Sequence, residues 1–222
     1  MNAAVVARLV LKDLYLSRWI VASALASGVT AVAIMPLGPV WSYVGGVSFV
    51  CVLVILNIVL VMHGVIQERR DKVVLFMLSL PVSTREFLAA KVMANAVAFV
   101  GPWCVLTAAV VAVVGASPIP DGMVPFLVLV LTYILAYYCV LLAVALLTDS
   151  TGWHAATITI GNVSINFLIP LLLGLPSIAL HREGPAAVWT RDLVIMLAVQ
   201  LAIGAAALGL AFRARLRRAD FV

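Results

Sequence analysis

Six stretches of more than twenty residues, at 19–40, 43–66, 92–115, 123–147, 154–179 and 192–212, are free of Asp, Glu, Lys and Arg, apart from Asp192 at the start of the last. Each residue of a helix advances about 1.5 Å, so about 20 apolar residues cross a hydrocarbon core about 30 Å thick. The pattern predicts six transmembrane segments. Hydrocarbon offers no partner for backbone N–H and C=O groups, so only helices and closed barrels cross it. The runs are continuous rather than alternating in ten-residue units, which excludes a barrel and predicts an all-α chain. With 65% hydrophobic and 10% charged residues, the chain is also far from the roughly 25% charged content of soluble domains.

The charges that remain are placed asymmetrically. With the N-terminus inside, residues 1–18, 67–91, 148–153 and 213–222 face the cytoplasm, and they hold twelve of the fourteen Lys and Arg residues. Only Arg182 and Arg191 are left outside. Short cytoplasmic loops retain positive charge, so both termini are expected inside. The sequence pI of about 9.5 then reflects attraction to the anionic inner leaflet and calls for no nucleic acid. Reporter fusions after Val222 and within residues 149–153 are therefore expected to be cytoplasmic, and fusions near Asp121 and Gly184 external. A cytoplasmic reporter at Asp121 would overturn the six-span arrangement.

On a helix, Arg8, Lys12, Tyr15 and Trp19 share one stripe, with Val5, Val6, Leu9, Val10 and Leu14 around most of the remainder. This predicts an interfacial entry helix over residues 1–18, with a plain extension of the first span as the alternative. Asp13 falls off the stripe. The first apolar run is longer than the 7–15 residues of a signal-peptide core, so it reads as a retained span. Cys51, Cys104 and Cys139 each lie within a span with no metal-binding spacing, and read as small buried apolar residues.

Residues 67–91, "QERRDKVVLFMLSLPVSTREFLAAK", are too apolar for a solvated loop and too charged for a span. A cluster from Glu68 through Arg69 and Arg70 to Lys72 stops the second span. In the run that follows, Val73, Phe76, Met77 and Leu80 share a helical face, and Pro81 ends it. Ser83 and Glu86 then form a capping box, with Val82 and Phe87 at the staple positions, opening the next helix. A short apolar helix at the cytoplasmic surface must bury its outer side either in the bilayer surface or in a groove of a second protein.

"ERRDKVVLFMLSLPVSTREFLAAK" resembles the first cytoplasmic loop of type-2 ABC exporter permeases, through Glu68, Leu80, Pro81, Val82, Ser83, Arg85, Glu86 and Lys91. Asp71 and Lys72 depart from it, since many relatives carry Gly and Thr there. The resemblance implies a permease whose coupling residues are Glu68, Arg69, Arg70, Val73, Phe76, Met77, Leu80, Pro81, Arg85 and Glu86. It also implies a separate cytosolic ATPase that binds ATP and magnesium, no cofactor on this chain, and a second permease copy or related half-permease. The expected setting is a bacterial inner or cytoplasmic membrane. The chain carries no G-x-x-x-x-G-K-[ST] phosphate loop of its own. Such families include drug and peptide exporters as well as heme-related and copper-maturation systems, and the sequence does not choose among them.

Within the spans, Thr159, Asn162 and Asn166 lie within about 60° of one another on the fifth helix. Buried amides in hydrocarbon serve either as interhelical glue or as the wall of a polar path. Asn57 in the second span and Asn95 in the third are solitary, and Asn57 joins the candidate path. Ser164 with His154 or His63 raises an intramembrane protease, though no G-x-S-x-G or placed carboxylate accompanies them. Pro170, Gly174 and Pro176 predict a broken, re-entrant outer end to the fifth span, with a kinked continuous helix as the alternative. The C-terminal "RARLRRADFV" reads as a basic lipid anchor, with ATPase contact as the sharper alternative. A scaffold or intramembrane enzyme is the competing functional class.

Overall fold

The computed structural model describes residues 3–67, 84–148 and 150–219. Among them the ordered elements are all helical. The principal helices are α1 (Ala3–Ile34), α2 (Pro39–Val61), α3 (Thr84–Ala116), α4 (Val124–Leu147), α5 (Thr151–Gly174), the single turn α6 (Pro176–Ala179) and α7 (Arg191–Ala219). Six of them are long and apolar enough to cross a bilayer. The windows expected from charge alone thus correspond to helices, with differences at their ends that have local causes.

Residues 3–18 are helical but form no separate element: α1 runs unbroken from Ala3 to Ile34, taking the form of an extension of the first span. Its 32 residues reach about 48 Å, well beyond a hydrocarbon core. The first span ends earlier than expected because Pro36 tightens the chain into a 3-10 turn at Met35–Leu37 and Gly38 turns it, at φ 141°, into Pro39. That backbone conformation is open almost only to glycine. At the other end of α2 the helix widens into a π-helical segment, Met62–Gln67. Pro102, by contrast, sits inside α3 without ending it.

The outer end of the fifth span is broken, though not at Pro170, which lies inside α5. The break falls at Leu175, whose extended backbone separates Gly174 from the turn α6. The chain beyond α6 folds back onto the start of α4, where the Gly122 N–H donates to the Gly184 carbonyl at 3.1 Å. A side chain at Gly122 would run into the His181 carbonyl, so the close approach depends on glycine there.

Helix α4 is the most deeply buried span and joins the two sides of the bundle. α1 packs along α3 and α2 on one side, while α5 and α7 rest chiefly on α4 on the other. Small residues permit these contacts: a Cβ at Gly28 would stand 2.7 Å from both Leu106 methyls, and one at Gly161 would overlap the Tyr137 ring. Cross-helix hydrogen bonds also involve α4: its Tyr133 donates to the Gly161 carbonyl of α5 at 3.1 Å, and Trp103 of α3 donates to its Leu131 carbonyl at 2.9 Å. Phe99 and Tyr138 stack at 4.1 Å between α3 and α4.

Exposed aromatic side chains include Trp41 and Tyr43 at the start of α2, Trp153 at the start of α5, Trp189 just before α7, and Tyr15, Trp19 and Phe167 within α1 and α5. Tyr15, Trp19 and Trp153 mark one end of the bundle by the alternation of the helices, and Trp41, Tyr43 and Trp189 the other. This is the distribution of the two aromatic belts of a membrane protein. Cys51 and Cys104 correct an expectation, since both lie on outward faces rather than in the core; Cys139 is half-buried. An outward thiol in a span faces an apolar surround and meets no desolvation penalty there.

Candidate functional site

Two polar arrangements interrupt this apolar bundle. The first lies where the cytoplasmic loop leaves α2 and enters α3. Lys91, on the second turn of α3, donates to the Asp13 carboxylate of α1 at 2.9 Å, across 78 residues of sequence. The Lys91 side chain is 8% exposed and that of Asp13 15%, so the pair is largely withdrawn from solvent. Lys12 stands 3.4 Å from the other carboxylate oxygen. One turn further along α3, the Asn95 amide donates to the Lys91 carbonyl at 3.2 Å.

Beside this pair is an open-sided pocket of about 260 Å³ bounded by α1, the end of α2, the π segment and α3. Asp13 and Ser17 of α1, His63 of the π segment and Asn95 of α3 supply its polar lining, while Leu16 and Leu60 are among its apolar walls. The π segment and α3 touch closely here. A Cβ on Gly64 would lie 2.9 Å from the Asn95 amide oxygen, so a larger residue there would have to displace the Asn95 side chain.

The second arrangement is on α5. Thr159 and Asn166 are exposed and Asn162 is half-buried, so the polar stripe points away from the bundle. The Asn162 amide donates to the Ile158 carbonyl at 2.9 Å, and that of Asn166 to the Asn162 carbonyl at 2.7 Å. Both donors are thus satisfied within their own helix, leaving the amide oxygens to face outward. Asn57 lies apart from this stripe: it is fully buried in α2, and neither atom of its amide has a hydrogen-bond partner.

The sequence-derived coupling residues divide at the edge of the described structure. Glu68, Arg69, Arg70, Val73, Phe76, Met77, Leu80 and Pro81 lie outside the described residues, as does Ser83 of the capping box. Arg85 and Glu86 fall in the first turn of α3, which opens at Thr84; Glu86 is half-buried. The described residues stop at Gln67 and resume at Thr84, about two helical turns before Lys91. Of the basic C-terminal tail, α7 carries the chain to Ala219.

Sequence reasoning missed Asp13. Its only local signal was a carboxylate off the basic stripe of an otherwise cationic and apolar segment, and nothing near it names a partner 78 residues away. Of the two pairings in the protease alternative, Ser164 with His154 loses its geometry: they are ten residues apart on α5, about 15 Å along the axis and beyond hydrogen-bond reach. Among the described residues no three His, Cys, Asp or Glu side chains converge as metal ligands do.

A family profile described as "ABC-2 family transporter protein" matches residues 30–209, most of the chain. In comparisons with curated proteins and with solved structures, nothing matches.

Proposed function

The chain belongs to the ABC-2 family of transporter proteins, and on that premise we propose that it is the permease of an ATP-driven exporter, working as a pair of permease subunits with a separate cytosolic ATPase. The family supports a membrane subunit of an ABC transporter and implies a partner ATPase. In the proposal, ATP and magnesium belong to that partner, the loop at 67–91 receives its force, and the substrate path runs between this chain and a second copy.

The observation that carries the reading is the stripe on α5. Thr159 and Asn166 are exposed on a helix that rests chiefly on α4, so their polar groups face whatever lies beside the monomer. Lipid tails cannot hydrogen-bond them, and polar groups in spans generally face partners or water-filled cavities. A second permease copy enclosing an aqueous path supplies both. The competing class, a scaffold held by lipid alone, leaves this stripe against hydrocarbon.

Asn162→Leu and Asn166→Leu test this directly. If the stripe lines the path, transport per assembled dimer falls several-fold while assembly and basal ATP hydrolysis persist, because the substitutions remove wetting without opening a void. If the amides act as packing glue, each change costs about 0.6 kcal/mol of stability, and transport falls only with the amount of folded protein. Transport per dimer, measured beside detergent melting, separates the two. Unchanged transport per dimer rules out the path.

A further inference from the structure

We propose that the Asp13–Lys91 ion pair makes α1 and α3 a single moving body, and that the π-helical end of α2 is the joint against which this body shifts when the cytoplasmic loop is pushed. The inference rests on the exporter reading above and adds to it two positioning residues and a place where movement is divided.

Three features converge on this joint. The first is the pair itself. A buried ion pair is seldom more stable than a well-packed apolar pair, because desolvation offsets the attraction. What it provides is a directional link, here between α1 and α3. That link reinforces an interface already close, with Leu106 packed against Gly28. α1 is therefore fastened to α3 at two levels about 15 residues apart along α1.

The second feature is the π segment Met62–Gln67, where α2 meets the loop. A π turn holds one residue more than an α turn and is a costly local arrangement, frequently found at functional sites. Its conversion to α geometry turns everything beyond it by about 100° relative to α2. The loop begins at the next residue. A push on the loop therefore reaches α2 through a segment able to change register, and reaches α3 through a regular helix joined to α1.

The third feature is the pocket on the boundary between these two bodies. Where helices are close-packed a displacement of one past another needs free volume, and an open-sided pocket at the boundary supplies it. The space of about 260 Å³ lies where α1 and α3 face the π segment, with His63 and Gly64 on one wall and Asp13 and Asn95 on the others. Asn57 sits seven residues before Gly64, so it shares that side of α2. Its unbonded amide is a buried polar group that a shift of α2 exposes to new partners.

The test uses the full permease with its ATPase in lipid nanodiscs, with spin labels at exposed positions. One pair, Leu11 and Met93, reports α1 against α3; the other, Leu11 and Ile55, reports α1 against α2. On adding ATP, magnesium and vanadate, the Leu11–Ile55 distance is expected to change by about 2 Å or more, the scale of helix shifts between functional states. The Leu11–Met93 distance stays constant within about 1 Å. Asp13→Asn lets the second distance move as well, and the swap Asp13→Lys with Lys91→Asp restores its constancy, which a merely structural role does not predict. Equal changes at both pairs in the wild type overturn the proposal, as does an Asp13→Asn protein whose two distances respond like the wild type. If Asp13→Asn does not assemble, the wild-type distances alone decide. A wild-type complex that hydrolyses ATP yet shows no change at either pair overturns this inference alone, whereas a permease that captures no ATPase and supports no ATP-driven transport overturns the exporter reading itself.

Discussion

Phe76→Asp is expected to abolish co-purification of the permease with its ATPase, and transport with it, while insertion into the membrane stays intact. Charge reversal at Arg69 and Arg70 is expected to do the same. If the short apolar run between the charged elbow and Pro81 is helical, as its sequence predicts, Phe76 shares a face with Val73, Met77 and Leu80. If that face is seated in a groove of the ATPase, an ionised carboxylate placed there loses its hydration without gaining a partner, at a cost of several kcal/mol. A loss of that size lowers affinity by more than a thousandfold, since each 1.4 kcal/mol is a factor of about ten. Insertion is unaffected because the substituted residue lies outside all six spans. Affinity capture of the ATPase by the tagged permease, beside a membrane-fraction blot, gives the answer. Normal capture by both variants moves the contact elsewhere on the cytoplasmic face.

The second large effect concerns stability. Lys91→Met leaves the Asp13 carboxylate 15% exposed between α1 and α3 without its nearest cation. Breaking a buried pair from one side typically costs 3–5 kcal/mol, and about 3 is expected here because Lys12 remains 3.4 Å away. Replacing both partners, by Asp13→Leu with Lys91→Met, is expected to return stability to within about 1 kcal/mol of the wild type, since the uncompensated charge is gone. Thermal melting of the four proteins in one detergent completes the cycle. A single variant as stable as the wild type would show that the carboxylate is hydrated well enough to stand alone.

These two predictions draw on different sources. The six spans could be read because bilayer thickness imposes a length and lipid imposes a composition, and both act locally on the chain. Their ends were less legible. Pro170 has the same helix-breaking chemistry as Pro176, yet α5 passes through one and stops before the other, because neighbouring structure decides which lost hydrogen bond is tolerated. The polar stripe on α5 was visible as a periodicity, whereas the direction in which it points depends on how α4 and α5 pack. Asp13 marks the limit of such reading. Its local pattern made it an imperfection of an amphipathic helix, and only the fold, by bringing α1 beside α3, supplies Lys91. The π segment had no sequence signal beyond the His63–Gly64 step.

The central position of α4 bears on how the molecule is made. Helices leave the ribosome in order, so α1, α2 and α3 enter the bilayer first and can associate with one another. α4 follows and finds α2 and α3 already present to receive it. α5 and α7, which lean chiefly on α4, are synthesised only after their support exists. Chain order and dependence therefore agree for α5 and α7, whereas α1 gains its own partners only when α2 and α3 have followed it. A circular permutation that moved α4 to the end would keep every contact of the finished bundle, but α5 and α7 would emerge into lipid with their inward faces uncovered.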